Sequence, residues 1–275
     1  MKLGFIGGGN MAAAMIGGML QKGFAASDIV VAETSPERCS WLTREFGVVA
    51  QPDAEATLSA EVIILAVKPQ QLAEVLRALP PLKPEQLVLS IAAGVRAEDI
   101  ARWLGGHTAV VRAMPNTPAL VGAGIAGLFA LPGVSELQKS HASRILEAVG
   151  RAVWVDQEAQ IDAVTAISGS GPAYVFFFIE ALEKAGIELG LTPETARLLT
   201  LQTFFGAAAL AIKDQSAPAE LRARVTSKGG TTERGILALE EGGVAYAIGL
   251  AARAAAERAA EMGDLLGKNG DGEKT

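Results

Sequence analysis

Two residue types that carry much enzyme chemistry are nearly missing from this chain, which has one cysteine and two histidines. The lone Cys39 forms no internal disulfide, which points to a reducing compartment, the cytoplasm. His107 and His141 read as surface or helix residues rather than catalysts. Aromatic residues are scarce, at 5% against 50% hydrophobic overall, so the core has to be made from Ala, Val, Ile and Leu. Basic runs are lacking and the formal charge is −6, which gives no reason to expect a nucleic-acid partner or an anionic membrane surface. The greasiest run, Val175 to Ile179, reads as too short to span a bilayer. No signal peptide is expected, because the N-terminus enters a strand at once. No metal is expected either. With 275 residues there is room for one large domain or two ordinary ones.

What is present begins immediately. Leu3 to Ile6 is an apolar run that stops at glycines, and a helix-forming run begins at Met11. The pattern predicts a strand, a tight turn and a helix, with Gly7-Gly8-Gly9-Asn10-Met11-Ala12 at the turn. In a dinucleotide site the small residues divide the work. Gly7 makes the turn, Gly9 lets backbone approach a pyrophosphate, and Ala12 lets the helix pack close to the strand. The free N–H groups at the helix start then face the phosphates.

Alternation continues through the first half. Ile29 to Ala32 reads as a second strand, followed by Glu33, whose position at a strand end suits the adenosine ribose. A carboxylate there accepts hydrogen bonds from a 2′-hydroxyl and favours NAD, whereas Thr34, Ser35 and Arg38 are groups that hold a 2′-phosphate and favour NADP. Thr34 or Ser35 also reads as the cap of a helix opening at Pro36, so the cofactor stays open between NADH and NADPH. Val62 to Val67 is a β-branched run of the kind buried on both faces of a parallel sheet, and it leads into Lys68 and Pro69, which opens the next helix. Lys68 stands near the ligand crevice of such folds, or is a solvated lysine at a helix start. Leu87 to Ile91 ends in Ala92-Ala93-Gly94, small enough to admit a flat ring. Ala109 to Met114 ends in Pro115-Asn116-Thr117-Pro118, a fixed turn offering polar groups. Ile125 to Phe129 and Ala152 to Val155 are final strands flanking a helix from about Val134 to Ala148. The half as a whole predicts an α/β fold with a doubly wound, mostly parallel sheet.

Near Asp156 the period changes, and the remainder reads as all helix. Helices are expected over Ile161–Leu189, Pro193–Asp214, Glu220–Arg224, Thr232–Glu241 and Val244–Leu265, with a kink at Pro172 and disorder from Gly267 to Thr275. The expected division is 1–156 for the nucleotide and 157–275 for dimerisation and substrate. Phe176, Phe177 and Phe178 point around a helix, which argues for a surface buried in a dimer; a ligand pocket lined by them is the alternative. Thr226-Ser227-Lys228-Gly229-Gly230-Thr231-Thr232 precedes a helix, and its glycines let N–H groups converge into a nest suited to a carboxylate. As a structural loop, the same stretch would use Thr231 or Thr232 as a cap.

The turn at Phe5–Ala12, Ala66-Val67-Lys68-Pro69-Gln70, Met114–Pro118, Ile167-Ser168-Gly169-Ser170-Gly171-Pro172-Ala173-Tyr174 and Lys228–Thr232 together resemble pyrroline-5-carboxylate reductase, over essentially the whole chain and in the family's order. The resemblance implies an N-terminal Rossmann domain, a C-terminal helical dimerisation domain, and homodimers assembling into a ring (a decamer). It implies the last step of proline synthesis, with NADPH or NADH reducing the cyclic imine 1-pyrroline-5-carboxylate to L-proline. The family's carboxylate-holding loop falls on Thr226 to Thr232, and its threonine at the imine nitrogen falls on Thr232. Lys228 stands where family members often have proline.

The chemistry fits. Reducing C=N needs a hydride donor, a nearly cationic imine and orientation, rather than a strong base. The cofactor is expected at Gly7, Gly8, Gly9, Asn10, Met11, Ala12, Glu33, Thr34, Ser35, Ala66, Val67, Lys68, Pro69, Ala92 and Asn116. The substrate is expected at Thr226, Ser227, Gly229, Gly230, Thr231 and Thr232, in a cleft where both cradles meet. A β-hydroxyacid dehydrogenase or general imine reductase is the nearest rival, but the former wants a lysine about one turn after the glycines, and the first lysine beyond Pro172 is Lys184. A non-catalytic nucleotide sensor would have no need of the Gly229–Thr232 loop.

Overall fold

In the computed structural model, which describes residues 1–270, the chain opens with β1 (Leu3–Ile6) and α1 (Asn10–Gln21). There follow β2 (Ile29–Ala32), α2 (Pro36–Phe46), β3 (Val49–Gln51), β4 (Val62–Leu65) and α3 (Pro69–Ala78). Next come β5 (Leu87–Ser90), α4 (Ala97–Trp103), β6 (Val110–Met114), β7 (Gly124–Ala130), α5 (Glu136–Leu146) and β8 (Gly150–Trp154). The rest is helical: α6 (Gln160–Val164), α7 (Gly171–Glu188), α8 (Pro193–Asp214), α9 (Pro218–Arg224), α10 (Thr231–Glu241) and α11 (Val244–Gly270).

The strands form one eight-stranded sheet in the order β3-β2-β1-β4-β5-β6-β7-β8. β1 to β6 run parallel, with Phe5 opposite Val31 on one side and Ile64 on the other, and β7 turns back against β6 with β8 parallel to it. Alternate residues serve opposite faces, as pleating requires. Leu3, Phe5, Val62 and Ile64 pack with Met15, Ile16, Leu42 and Ile145, while Ile6, Ile63 and Leu65 pack with Leu72, Leu76 and Ile100. Both faces are covered, which is why β1 and β4 are apolar at every position. The parallel sheet expected from the alternation is therefore present. The edge strand β3 was not legible: it is three residues long, and its Val49 is exposed.

Local rules set the helix ends. Ser35 accepts a hydrogen bond from Arg38 N as the cap of α2, Pro36 follows it, and Gly47 closes the helix at φ 68°. Ser135 and Gln138 form a capping box at α5. The expected kink at Pro172 has another cause. Thr165–Gly169 is a π turn, in which Thr165 Oγ1 donates to Ile161 O and Ser168 Oγ to Val164 O, and the helix breaks at Ser170. Pro172 lies in the first turn of α7, where its missing N–H costs little.

Two compact units emerge, one of residues 1–170 with the stretch from 254 onward, the other 171–253. The first unit continues past position 156, where strands end, because Ile161 and Ala166 are buried within it. A polar link joins β6 to α6 and the turn before it: Arg112, 3% exposed, places Nη1 3.0 Å from Glu158 Oε1 and Nη2 3.4 Å from Asp162 Oδ1. The end of α11 belongs here too, with Asp264 2.6 Å from Arg96. The absent side chain of Gly267 leaves room for Asp99, so residues 267–270 are helical where disorder was expected. Positions 271–275 lie outside the described residues.

In the second unit α7 packs on α8, where Gly186 approaches Ala196. Much of its apolar surface stays uncovered, including Phe176, Phe177, Phe205 and Ile212. The reading of Val175 to Ile179 as too short to span needs correction. The helical run that contains it, interrupted at Ser170, is Gln160–Glu188, 29 residues at mean hydropathy 1.2, and α8 is 22 residues at 1.3; among the described residues these two are long and apolar enough to cross a bilayer by length and composition. Either lipid or a protein partner covers such a surface in principle.

Arg112→Met takes the shared guanidinium from two part-buried carboxylates, of which Glu158 keeps the Ala97 N–H. We expect a loss of about 1–3 kcal/mol, read as a lower urea midpoint at unchanged m-value.

Candidate functional site

The carboxyl ends of β1, β2 and β4 build the first candidate site. Gly7 takes φ +101°, and an added Cβ would sit 2.7 Å from the Ala66 carbonyl, so only glycine lets the chain turn here against β4. Its N–H donates to Ala32 O at 2.8 Å. Gly8 is buried and donates to Glu33 Oε2 at 2.9 Å. Gly9 caps α1, and a Cβ there would meet nothing within 4 Å, so open space lies above it. The first internal bond of α1 is Ala13 N–H to Gly9 O, which leaves the earlier N–H groups directed out of the helix start. Ala12, 1% exposed, lets α1 settle on the sheet.

A cavity of about 460 Å³ opens at this edge, lined by Gly7, Gly9, Glu33, Thr34, Ala66, Val67 and Lys68 among the expected residues. Lys68 is exposed at the cap position of α3, just before Pro69. Other expected residues lie elsewhere. Asn10 lines a second cavity beside α2, with Arg38 and Trp41. Ser35 serves as the α2 cap. Met11 and Pro69 do not line the first cavity, nor do Ala92 and Asn116. Ala92 is buried with its N–H donating to Ser90 Oγ, and the room at nearby Gly94 is taken by Met262 and Leu266 rather than by a flat ring. Asn116 spends its carboxamide on structure, accepting from Ile125 N and donating to Ser168 O. Pro52, Ala54, Gln71, Glu74 and Val75 line the first cavity as well. The first two follow β3, so recognition of that strand was the missing signal.

The second candidate site is the loop before α10. Gly229 takes φ +72°, Gly230 is the helix cap, and Thr231 and Thr232 are the first helical residues, so neither threonine caps. Ser227, Thr231 and Thr232 are exposed. Thr226 Oγ1 donates to Arg222 O, finishing α9. Glu233 reaches back to accept the Gly229 N–H at 2.7 Å, which occupies one donor of the nest and leaves the helix-start donors of Thr231 and Thr232 outward. His107, expected as a surface or helix residue, is part-buried in the loop before β6, its ring 2.8 Å from Gln86 O and its pKa lowered by burial.

The Gly-turn between β1 and α1 in this parallel strand order is that of the Rossmann-type dinucleotide-binding class. Family comparison agrees. Residues 2–94 match a family described as NADP oxidoreductase, coenzyme F420-dependent, and residues 158–262 match pyrroline-5-carboxylate reductase dimerisation. The chain is 48% identical to a pyrroline-5-carboxylate reductase of Pseudomonas aeruginosa over 97% of its own length and 98% of that protein. It is similar to the solved pyrroline-5-carboxylate reductase of Coxiella burnetii, with TM-score 0.90 and 43% identity over 95% and 98% of the chains. A Plasmodium falciparum pyrroline carboxylate reductase solved with NADP bound aligns at TM-score 0.85 and 30% identity over 96% and 98%. The chain belongs to the pyrroline-5-carboxylate reductase family. It is accordingly an NAD(P)H-dependent reductase of 1-pyrroline-5-carboxylate, forming L-proline in the last step of proline biosynthesis.

Gly7→Ala forces a Cβ into the Ala66 backbone at a positive φ. The expected cost is about 1–3 kcal/mol of strain, with loss of the melting-temperature rise that NAD(P)H confers. A rise of wild-type size in that variant would remove the turn from the cofactor site.

Proposed function

We propose that residues 1–156 hold the nucleotide and residues 157–275 hold the substrate and the dimer contact, with the reaction served by the two glycine cradles. The single observation that carries this reading is the open space above Gly9 at the helix start, beside a cavity that Glu33, Ala66, Val67 and Lys68 line. Gly8, Gly9, Asn10, Met11 and Ala12 bracket the pyrophosphate in this reading. Glu33, Thr34 and Ser35 stand at the adenosine ribose, and Ala66, Val67, Lys68 and Pro69 border the nicotinamide end. When bound, the reduced nicotinamide supplies the hydride.

What the chain itself contributes is placement. The N–H groups of Thr231 and Thr232, with the Ser227 and Thr231 hydroxyls, hold the substrate carboxylate; the Gly230 N–H is donated to Ser227 O at 3.0 Å and shapes the loop, and Thr226 braces it from α9. The helix-start field of α10 favours that charge. Thr232 Oγ1 accepts a hydrogen bond from the iminium N–H, so that the nitrogen, which keeps its proton and gains a lone pair as the C=N bond becomes a C–N single bond, faces a polar oxygen rather than an apolar wall. No strongly basic group is called for, because the iminium form carries its own proton.

The exposed faces of α7, α8, α10 and α11 are covered by a second copy in this reading, and dimers assemble further into a ring. The dimerisation match over residues 158–262 supports the first statement. It also supports a protein rather than lipid cover for the apolar helices. A cytoplasmic location fits a single buried thiol whose Sγ lies 3.0 Å from Glu33 O.

Thr232→Ala should lower imine-dependent NAD(P)H oxidation by on the order of 10² at unchanged nucleotide affinity, with Thr232→Ser restoring much of it. Undiminished turnover in the alanine variant would exclude Thr232 from the mechanism. Sedimentation should find a dimer or a multiple of dimers; a monomer at micromolar concentration would exclude the proposed cover.

A further inference from the structure

We infer that Glu33 makes this enzyme discriminate against the 2′-phosphate and take NADH in preference to NADPH. The inference rests on the nucleotide site proposed for residues 1–156 and adds the specificity of that same site.

Glu33 follows β2, the strand whose carboxyl end meets the adenosine ribose in this sheet order. Its carboxylate is anchored from behind. Oε2 accepts the Gly8 N–H at 2.9 Å, and Oε1 accepts the Ser35 N–H at 2.9 Å and the Thr34 hydroxyl at 3.4 Å. The anchoring fixes the rotamer, while Glu33 still lines the cavity and a carboxylate retains further acceptor lone pairs. Ribose hydroxyls are donors and satisfy them. A 2′-phosphate has no matching donor and carries about −1.5 to −2 of charge, directly against an acceptor that cannot swing away without releasing the glycine turn.

Groups that would offset this repulsion are turned elsewhere, with one Arg38 nitrogen left unpaired among the described residues. Ser35 Oγ accepts the Arg38 N–H at 3.2 Å and donates to Glu37 at 2.9 Å. Arg38 donates Nε to Gly8 O at 2.6 Å, lies 4.1 Å over the Trp41 ring, and lines the second cavity rather than the one holding Glu33. Its Nη2 is buried without an acceptor among the described residues, which makes Arg38 the rival ligand to be tested. Lys68 lines the Glu33 cavity together with the opposing Glu74. It stands at the end of β4, with β1 between β4 and β2, roughly 10 Å across the sheet.

The test is direct binding, with turnover as a second readout. Fluorescence titration of the full-length enzyme with NADH, NADPH, 5′-ADP and the 2′-phosphorylated ADP should give roughly tenfold or greater preference for each unphosphorylated ligand, and kcat/KM with the five-membered imine should follow. Glu33→Gln keeps an acceptor for Gly8 and should bring the two affinities together, mainly through tighter NADPH. Arg38→Met should weaken both nucleotides alike. Equal or tighter binding of NADPH by the wild type, an unchanged ratio in Glu33→Gln, or a selective loss of NADPH in Arg38→Met would each overturn the preference and leave the nucleotide site standing. Failure of all four ligands to bind would overturn both.

Discussion

Backbone meets backbone at the carboxyl end of β1, and the first unit is arranged around that approach. Gly7 donates to Ala32 O and Ala66 donates to Ile6 O, each at 2.8 Å, so three adjacent parallel strands are tied together one residue beyond their apolar runs. The tie is available only because Gly7 has no Cβ to meet the Ala66 carbonyl. Everything nearby is placed by it: the start of α1, the Gly8 N–H that holds Glu33, and the cavity between β2 and β4. A strand run buried on both faces delivers its chain end to the sheet edge with little positional freedom. Rigid delivery of that kind is what a hydride-transfer site needs, since rate falls steeply with misplacement.

The second unit obeys a different constraint. Its helices are rich in Ala and Leu but have too few neighbours of their own to bury them, and Phe176, Phe177, Leu198, Phe205 and Ile212 are all more than half exposed. Exposed apolar area on this scale marks an interaction surface. The dimerisation match, which spans α7, α8, α9, α10 and most of α11, favours a protein cover over a bilayer. Small residues serve the same end inside the unit, where Gly186 lets α7 lie close to Ala196 of α8.

Much of this was readable from residue pattern, for reasons that differ by element. Strands β1, β4 and β5 announce themselves because burial on two faces demands unbroken apolar runs, and helix starts at Pro36, Pro69 and Pro193 because proline is tolerated there. The edge strand β3 escaped, since a three-residue strand needs no pattern of its own. So did the Arg112–Glu158–Asp162 link, because ion pairing across 46 and 50 residues leaves no local periodicity. Asn116 read as a ligand because a polar residue at a strand end offers donors, yet Ile125 and Ser168 take up its carboxamide. The glycine turn was the most legible part of the site. The cavity wall after β3 was the least, because it depends on a strand that could not be seen.

The two cradles solve one problem in one way, although they share no sequence. In each, a glutamate carboxylate accepts the N–H of a glycine: Glu33 takes Gly8 at 2.9 Å, and Glu233 takes Gly229 at 2.7 Å. Spending a donor this way looks wasteful in a site meant for anions, and it brings negative charge close. What it secures is shape, because glycine backbone is otherwise the freest in the chain, and ordering it at the moment of binding would subtract from affinity. The N–H groups that follow, at the starts of α1 and α10, remain directed outward, so each loop gives up one hydrogen bond to hold the others in place. The arrangement also sets limits on the ligand. Under the proposed reading, an anion is held by the helix-start donors only where it stays clear of the tethering carboxylate, which would confine a pyrophosphate to the Gly9 side of the first turn and a small carboxylate to the Thr231–Thr232 side of the second.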